Sequence, residues 1–335
     1  MTHRFPIKEL ALQSGLSTAT VDRVINDRPN VSAQSHARVA AAMEELALQE
    51  GQLAARGRRM FIDVLVDGPD RFCSKIRDAV DAILPTFSPA VVRPRYTFQD
   101  TMSEDQTVEH LHRIAGRGSS GVLLKIRDTP AVRTAIGDLR AKHIPVVTVF
   151  ADVATPDRLA FVSPDNEQAG RTAAYLMMKL LGPTKGAILL TQGRDSFAGE
   201  EARAAGFRAA ISGHGFRLIY IDAADGAAPD AASQITQRAP DIGALAGVYS
   251  MGGGNRAILS ALDAIGSPPQ VFVAHDLDIE NRTLLRDGHL DFVLDHDLPH
   301  DLRAGLDCIC HAHGLGPEPV VKPSGIQVLT PFQVS

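Results

Sequence analysis

From Phe61 onward, short apolar runs alternate with amphipathic stretches, and this alternation restricts the fold more than any other feature of the chain. Strands are expected at 61–66, 91–98, 121–125, 145–149, 159–163, 186–191, 216–221, 244–249, 270–274, 291–295 and 326–330. Helices are expected in most of the gaps, as at 71–84, 130–141, 166–181, 199–212, 254–265 and 298–312. Strands separated by helices mean βαβ units, hence parallel sheets covered by helices on both faces. Eleven strands are many for one such sheet, so two lobes are the more economical arrangement. Doubly wound sheets bind ligands beyond the carboxyl ends of their strands, and two facing lobes would form a cleft there.

The stretch before this body is built differently. Residues 6–25 read as two short helices around a tight turn, with Ile7, Leu10 and Ala11 at helical spacing. Gly15 can take the positive φ that ends the first helix, and Ser17 is a suitable N-cap for the second, which runs through Val21 and Val24. Ser32 caps a third helix expected from Ala33 to about Leu48, with Val39, Met43 and Leu46 on its inner face. Three such helices form a helix-turn-helix bundle. Residues 49–59 lose apolar periodicity and read as a linker that could be partly helical. The expected division is therefore a DNA-binding head over 1–48, a hinge over 49–60 and a two-lobed body over 61–335.

Composition narrows the class. The 335 residues are 44% hydrophobic and 22% charged, ordinary values for a soluble globular protein. No apolar run approaches the ~18–20 residues of a membrane span, and no long apolar stretch follows Met1–Pro6, so a cytoplasmic location without a secretory signal is expected. Three cysteines, Cys73, Cys308 and Cys310, do not make a disulfide framework. The net charge of −5 does not point to nucleic acid, but its distribution does: residues 1–59 hold eight Lys/Arg against six Asp/Glu, +2, leaving −7 for the rest.

The run from Ile7 to Asn26, with Ala11, the Gly15 turn and then Ser17-x-x-Thr20-Val21-x-Arg23-Val24-x-Asn26, resembles the head of the lactose-repressor (LacI-type) family of bacterial regulators, and Val31-Ser32-Ala33 resembles its third-helix start. The body more loosely resembles the type I periplasmic sugar-binding fold. The residue chemistry agrees with a DNA-reading role. Ser17 and Thr20 are short hydroxyls at a helix start, suited to phosphate oxygens. Thr18, Ala19 and Arg23 project where base edges would lie: Arg favours guanine, and Thr or Ala can meet a thymine methyl. Asn26 and Ser32 are further phosphate candidates. Taken singly, Ser17 and Ser32 are equally well read as helix caps. Asp22 stands where the family often has Ser, and its carboxylate must point away from phosphate or pair, with Arg23 or Arg28. Gly57 falls where the family carries a leucine that wedges into the minor groove, so less operator bending is expected, with Arg56, Arg58 and Arg59 holding phosphates or a narrow groove instead.

The resemblance also implies a ligand set at strand ends. Phe72 follows the first strand and can stack on a sugar ring; Lys125 ends the third; Phe150 and Asp152 follow the fourth. Glu201 stands where relatives often carry an Arg, Asp276 matches an Asp that accepts two hydroxyls, and His296 stands where Gln is common. Such a set suits a polyol, whose hydroxyls both donate and accept. Arg203 is read as structural, and Asp165-Asn166 as a helix cap.

Other signals are weaker. Cys308, Cys310, His311 and His313 cluster in sequence, but residues two apart on a helix face different ways, so no metal site is expected. Met251-Gly252-Gly253-Gly254 lacks the Lys-Ser/Thr of a nucleotide loop and reads as a tight turn at the cleft. No nucleophile–base set is visible, so neither an enzyme nor a cofactor is expected. The expectation is a dimeric, ligand-responsive regulator, a repressor whose affinity for pseudo-palindromic operator DNA is changed by a sugar, polyol or sugar acid, with no membrane partner. A transport-type binding protein, or a carbohydrate enzyme with an added head, is the alternative.

Overall fold

A computed structural model describes residues 5–29, 31–55, 58–183, 186–193, 198–223 and 228–334. The head comprises α1 (Ile7–Ser14), α2 (Thr18–Ile25) and α3 (Ala33–Ala55). Gly15 ends α1 with φ of 63°, a left-handed conformation that costs glycine little. Ser17 caps α2, its Oγ accepting from Thr20 N at 3.1 Å. Phe5, Leu10, Ala11, Val21, Val39, Ala42 and Leu46 form the head's own small core. Met43 is exposed, so the inner face of α3 turns through Ala42 instead. The third helix does not stop near Leu48 but continues to Ala55, and the first strand of the body begins at Arg59. The expected hinge over 49–60 thus holds the last turns of α3, where Gln, Glu, Leu and Ala outweigh the one weak helix former, Gly51.

All eleven expected strands are present. The first lobe is a five-stranded parallel sheet in the order β2 (Val91–Gln99), β1 (Arg59–Asp67), β3 (Gly121–Lys125), β4 (Val146–Val149), β5 (Ala160–Val162). Its helices are α4 (Asp70–Ile83), α5 (Glu104–Arg117) and α6 (Pro130–Ala141). The second lobe has the order β11 (Ile326–Leu329), β10 (Phe292–His296), β9 (Val271–His275), β8 (Leu245–Ser250), β6 (Ala187–Gly193), β7 (Arg217–Ala223). Only β11 in that sheet runs antiparallel, pairing with β10. Helices α7 (Asn166–Leu181), α8 (Ala198–Ile211), α9 (Ala228–Gln237), α10 (Ala239–Ile242), α11 (Asn255–Ala264) and α12 (Ile279–Arg286) accompany it.

The last long helix, α13 (Leu298–Ala312), leaves the second sheet and packs into the first lobe, where Leu298, Leu302, Leu306 and Ile309 share a core with Ile62, Val64, Ile76 and Leu123. The chain therefore passes between lobes three times. Two of these passages lie side by side, joined by a parallel bridge of Pro164 to Ser324, and the Ser324 hydroxyl donates to Asp301 Oδ2 of α13 at 2.9 Å. Among the described residues, no helix is long and apolar enough to cross a membrane. Cys308 and Cys310 are buried, and no group of three or more metal-ligating side chains occurs among the described residues.

Helices α7 and α8 cross at glycines. A Cβ on Gly170 would lie 1.9 Å from the Arg203 carbonyl oxygen, and one on Gly206 would lie 2.1 Å from that of Glu167. Backbone cannot yield there as a side-chain tip can, so Gly170→Ala should cost about 1–3 kcal/mol through overpacking. Urea unfolding should show a lowered midpoint with an unchanged slope; an unshifted midpoint would contradict the close crossing.

Candidate functional site

Strand polarity brings the carboxyl ends of both sheets together. From the first lobe, Phe72 and Arg71 come from the start of α4, Lys125 from the end of β3 and Phe150 from just after β4. From the second come Glu200 and Arg203 of α8, Met251 and Gly252 after β8, Asp276 after β9, and His296 at the end of β10. These side chains enclose about 90 Å³. Ligand pockets begin at ~300 Å³, so the lobes must part to admit a sugar-sized molecule.

An aromatic wall lines one side. Phe72 and Phe150 meet edge to face at 5.6 Å, and the His296 ring lies 6.3 Å from Phe72 and 5.4 Å from Phe150. Lys125 Nζ sits 5.5 Å from the Phe72 ring centre and donates to the Asp67 carbonyl at 2.7 Å. Burial pushes the Lys125 ammonium down to about 8, against an opposing pull from Asp67, Glu200, Cys73 and Asp276.

His296 Nε2 lies 2.9 Å from Asp276 Oδ1 without hydrogen-bond alignment, and both His296 ring nitrogens are buried without a hydrogen-bond partner. Burial alone would raise the Asp276 carboxyl, but His296, Lys75 and Arg203 hold it well below the usual carboxylate range. Behind it, burial pushes His275 well down, and its Nε2 is 2.7 Å from the Tyr249 hydroxyl. Asp276 and Phe150 both have left-handed backbone, with φ of 62° and 63°. Non-glycine residues avoid that region, so each turn stores strain at the cleft. Asn281 Nδ2 donates to the carbonyls of His275 and Asp276, fixing the second turn.

Two ion pairs join the lobes at the cleft mouth. Lys75 Nζ is 2.9 Å from Asp295 Oδ1, and Arg71 Nη1 is 3.4 Å from Asp278 Oδ2. Arg71 Nη2 also donates to the Gly252 carbonyl.

The structure thus gathers Phe72, Lys125, Phe150, Asp276 and His296, as the strand-end reading expected, but not Asp152 or Glu201. Asp152 turns aside: its carboxylate accepts from Arg158 Nε at 2.7 Å and Nη2 at 2.8 Å, and from the Thr148 hydroxyl at 2.8 Å. Glu201 is exposed beside Gln192, Arg208 and Tyr220, while its neighbour Glu200 faces the cleft. Arg203, expected to be structural, lines the cleft, although Asn166 Oδ1 at 2.8 Å and the Met251 carbonyl at 3.1 Å also hold it. Arg71 went unrecognised. Its partner Gly252 lies far along the chain, and no local spacing signals that contact.

In the head, Ser17, Thr18, Ala19 and Arg23 are exposed together on α2, with Thr20 half-buried. Ser17 and Ser32 both cap helices, Ser32 Oγ accepting from Ser35 N at 3.1 Å. Asp22 is neutralised by Arg28 at 3.2 Å, and Asn26 Nδ2 donates to Asp22 Oδ1 at 2.8 Å. Arg58 is exposed, whereas Arg56 and Gly57 lie outside the described residues.

Residues 66–308, more than half the chain, match the family described as periplasmic binding protein domain, and residues 6–49 match bacterial regulatory proteins, lacI family. The chain belongs to the periplasmic binding protein domain family and carries a lacI-family head. The binding-protein body is similar to the ribose import binding protein RbsB of Haemophilus influenzae, 28% identical over 109 residues, 32% of this chain and 37% of that protein. The match therefore spans little more than a third of that relative. In fold, the body is similar to GanP, a glucose-galactose binding protein from Geobacillus stearothermophilus (TM-score 0.72, 17% identity, 83% of this chain and 99% of that one). It is also similar to a Bacteroides fragilis protein classed as a LacI transcriptional regulator (TM-score 0.68, 16% identity, 83% and 98%). At these identities the likeness is one of fold.

The buried ammonium makes a pH prediction. Between pH 8 and the ordinary lysine value of 10.5, the unfolded chain keeps a proton on Lys125 that the folded binding-protein body releases. Stability therefore rises with pH across that window. Unfolding free energies of wild type and Lys125→Met, measured from pH 7 to about 10.5, should diverge in favour of the wild type above pH 8; a constant difference would contradict the depressed value.

Proposed function

We propose that the protein is a ligand-responsive transcription regulator, a repressor that acts as a homodimer on pseudo-palindromic operator DNA in the cytoplasm. The observation that carries this reading is the joining of a helix-turn-helix head, with Ser17, Thr18, Ala19 and Arg23 exposed along α2, to a two-lobed cleft. In this reading α2 enters the major groove, Arg23 meets a base edge, and Ser17, Thr20, Asn26 and Ser32 attend to phosphates with Arg56 and Arg58. Two heads read half-sites related by the protein's twofold axis.

The effector is a small sugar, polyol or sugar acid. Ribose and glucose-galactose occur in the names of similar binding proteins. The cleft's chemistry supports the same class: an aromatic wall of Phe72 and Phe150 for the ring face, and Lys125, Asp276, His296, Glu200 and Arg203 for hydroxyls or a carboxylate. Asp152 and Glu201 have no part in it. Opening and closing of the lobes would alter the spacing of the heads. The coupling is reciprocal, so an effector that weakens operator binding binds the operator complex more weakly. No catalytic step, cofactor or metal enters the proposal. A transport role fits poorly with the lacI-family match over residues 6–49.

Two substitutions separate the halves of this reading. Arg23→Ala should cost about 1–3 kcal/mol of operator affinity and relax preference at one base pair. Gel shifts on the selected operator and its point variants check this, and unchanged affinity and selectivity would remove Arg23 from base contact. Asp276→Ala should leave operator binding intact and abolish the effector response. A thermal-shift panel of sugars, polyols and sugar acids identifies the effector, since a specific ligand stabilises the native state by mass action; a response of Asp276→Ala at the wild-type concentration would exclude the residue.

A further inference from the structure

The opposite pole of the first lobe, where strands begin, carries a compact group of arginines. Strands β1 and β2 are parallel with Arg59 opposite Val91, Phe61 opposite Arg93 and Asp63 opposite Arg95. Alternation in a strand places Arg59, Phe61 and Asp63 on one sheet face, with Arg93 and Arg95 beside them. Farther along β1 that face is covered: Leu65 is fully buried in the core formed with α5 and α6. At the strand starts it emerges from cover, leaving Phe61 48% exposed and Arg59 and Arg93 exposed. Arg117, at the end of α5, joins from the side.

The charges on this face do not balance. Asp63 supplies a buried carboxylate, and both its oxygens are taken, one by Arg95 at 2.7 Å and the other by Arg117. Among the described residues, neither Arg59 nor Arg93 has an ion pair. A basic residue at a helix C-terminus commonly offsets the helix dipole, which accounts for Arg117. It does not account for Arg59, Arg93 or Arg95, which lie on strands. The Arg95 guanidinium also lies 5.4 Å from the Phe61 ring centre, which holds the planar fork in place. This surplus sits on a protein whose net charge is −5.

The position of the patch identifies its partner. Helix α3 of the head ends at Ala55 and β1 begins at Arg59. Four residue steps reach at most about 14 Å. The head is therefore tethered at this end of the lobe, where the strands begin, and not at the cleft. We infer that Arg59 and Arg93, beside the Asp63-bound Arg95, form a second, sequence-independent DNA contact, in which the first lobe of the body grips the phosphate backbone of the duplex that the head reads. The inference rests on the DNA-binding reading of the head. Phosphates suit the group because they are dense, anionic and bound bidentately by arginine.

The test uses the full chain and a duplex selected by the wild type from a random-sequence pool, with affinity measured across a salt series. The double variant Arg59→Gln/Arg93→Gln removes charges that hold no partner in the fold, while Arg208→Gln/Arg286→Gln makes the same charge change on the second lobe. The slope of log affinity against log salt should fall by about 0.9 for each phosphate that the first variant no longer neutralises. The second should run parallel to wild type, and base preference should be unchanged in both. Parallel lines for wild type and Arg59→Gln/Arg93→Gln overturn the inference while leaving the head's role intact. So does a variant whose lowered affinity is accompanied by loss of dimer at an unchanged slope, which assigns the patch to protein contact. If the wild type selects no duplex, the regulator reading fails and this inference with it. Thermal unfolding of the variants, expected within a few degrees of wild type, confirms that the fold is kept.

Discussion

Strand direction organises this molecule. A parallel sheet has two unlike ends, and side chains in the loops beyond the carboxyl ends converge without any special device. Both lobes use that geometry, so Phe72, Lys125 and Phe150 from one sheet meet Arg203, Asp276 and His296 from the other. The amino ends of the first sheet must then point elsewhere, and the chain from the head enters there at Arg59. The cleft and the attachment of the head thus occupy opposite ends of one lobe, and a change at the cleft has to be carried through the sheet or around the crossings between lobes to reach the head.

The cleft is held at a cost. Lys125 gives up its full hydration, Asp276 remains ionised among His296, Lys75 and Arg203, and two turns keep left-handed backbone at Phe150 and Asp276. None of these choices stabilises a fold as well as an apolar side chain in relaxed backbone would. Their concentration in one place agrees with the general observation that binding sites are drawn from a protein's strained and less stable parts. The ion pairs Lys75–Asp295 and Arg71–Asp278 add contacts that exist only while the lobes are together.

Much of this was legible from local pattern. Apolar runs located the central strands, such as β3, β4, β8 and β9, because a buried parallel strand has no polar face to disguise it. The head was legible because turn, caps and core fall within a short stretch. The failures come from two sources. One is angular: Glu200 and Glu201 differ by one residue, about 100° around α8, which is enough to exchange cleft for surface, and the same holds for Ala42 and Met43. The other is competition for partners: Asp152 lies two residues past Phe150, but Arg158 and Thr148 claim its carboxylate. The end of α3 is a separate case: apolar periodicity reports burial, not helicity, so its loss near Leu48 did not mark the end of the helix at Ala55.

The return of α13 to the first lobe has a consequence for biosynthesis. That lobe's core includes Leu298, Leu302, Leu306 and Ile309, which the ribosome adds only after nearly all of both sheets has been made. Gly121 and Gly305 mark how closely this helix lies on the sheet: a Cβ on either would strike Ile309 or Leu123 at 2.4 Å and 2.8 Å. Until α13 emerges, a nascent chain exposes the apolar face that it covers, while the head, complete within the first residues with its own core, is free to fold at once. A transcript cut short before codon 298 would therefore encode a lacI-family head with a finished core, joined to a sensor lobe that lacks the helix closing its own.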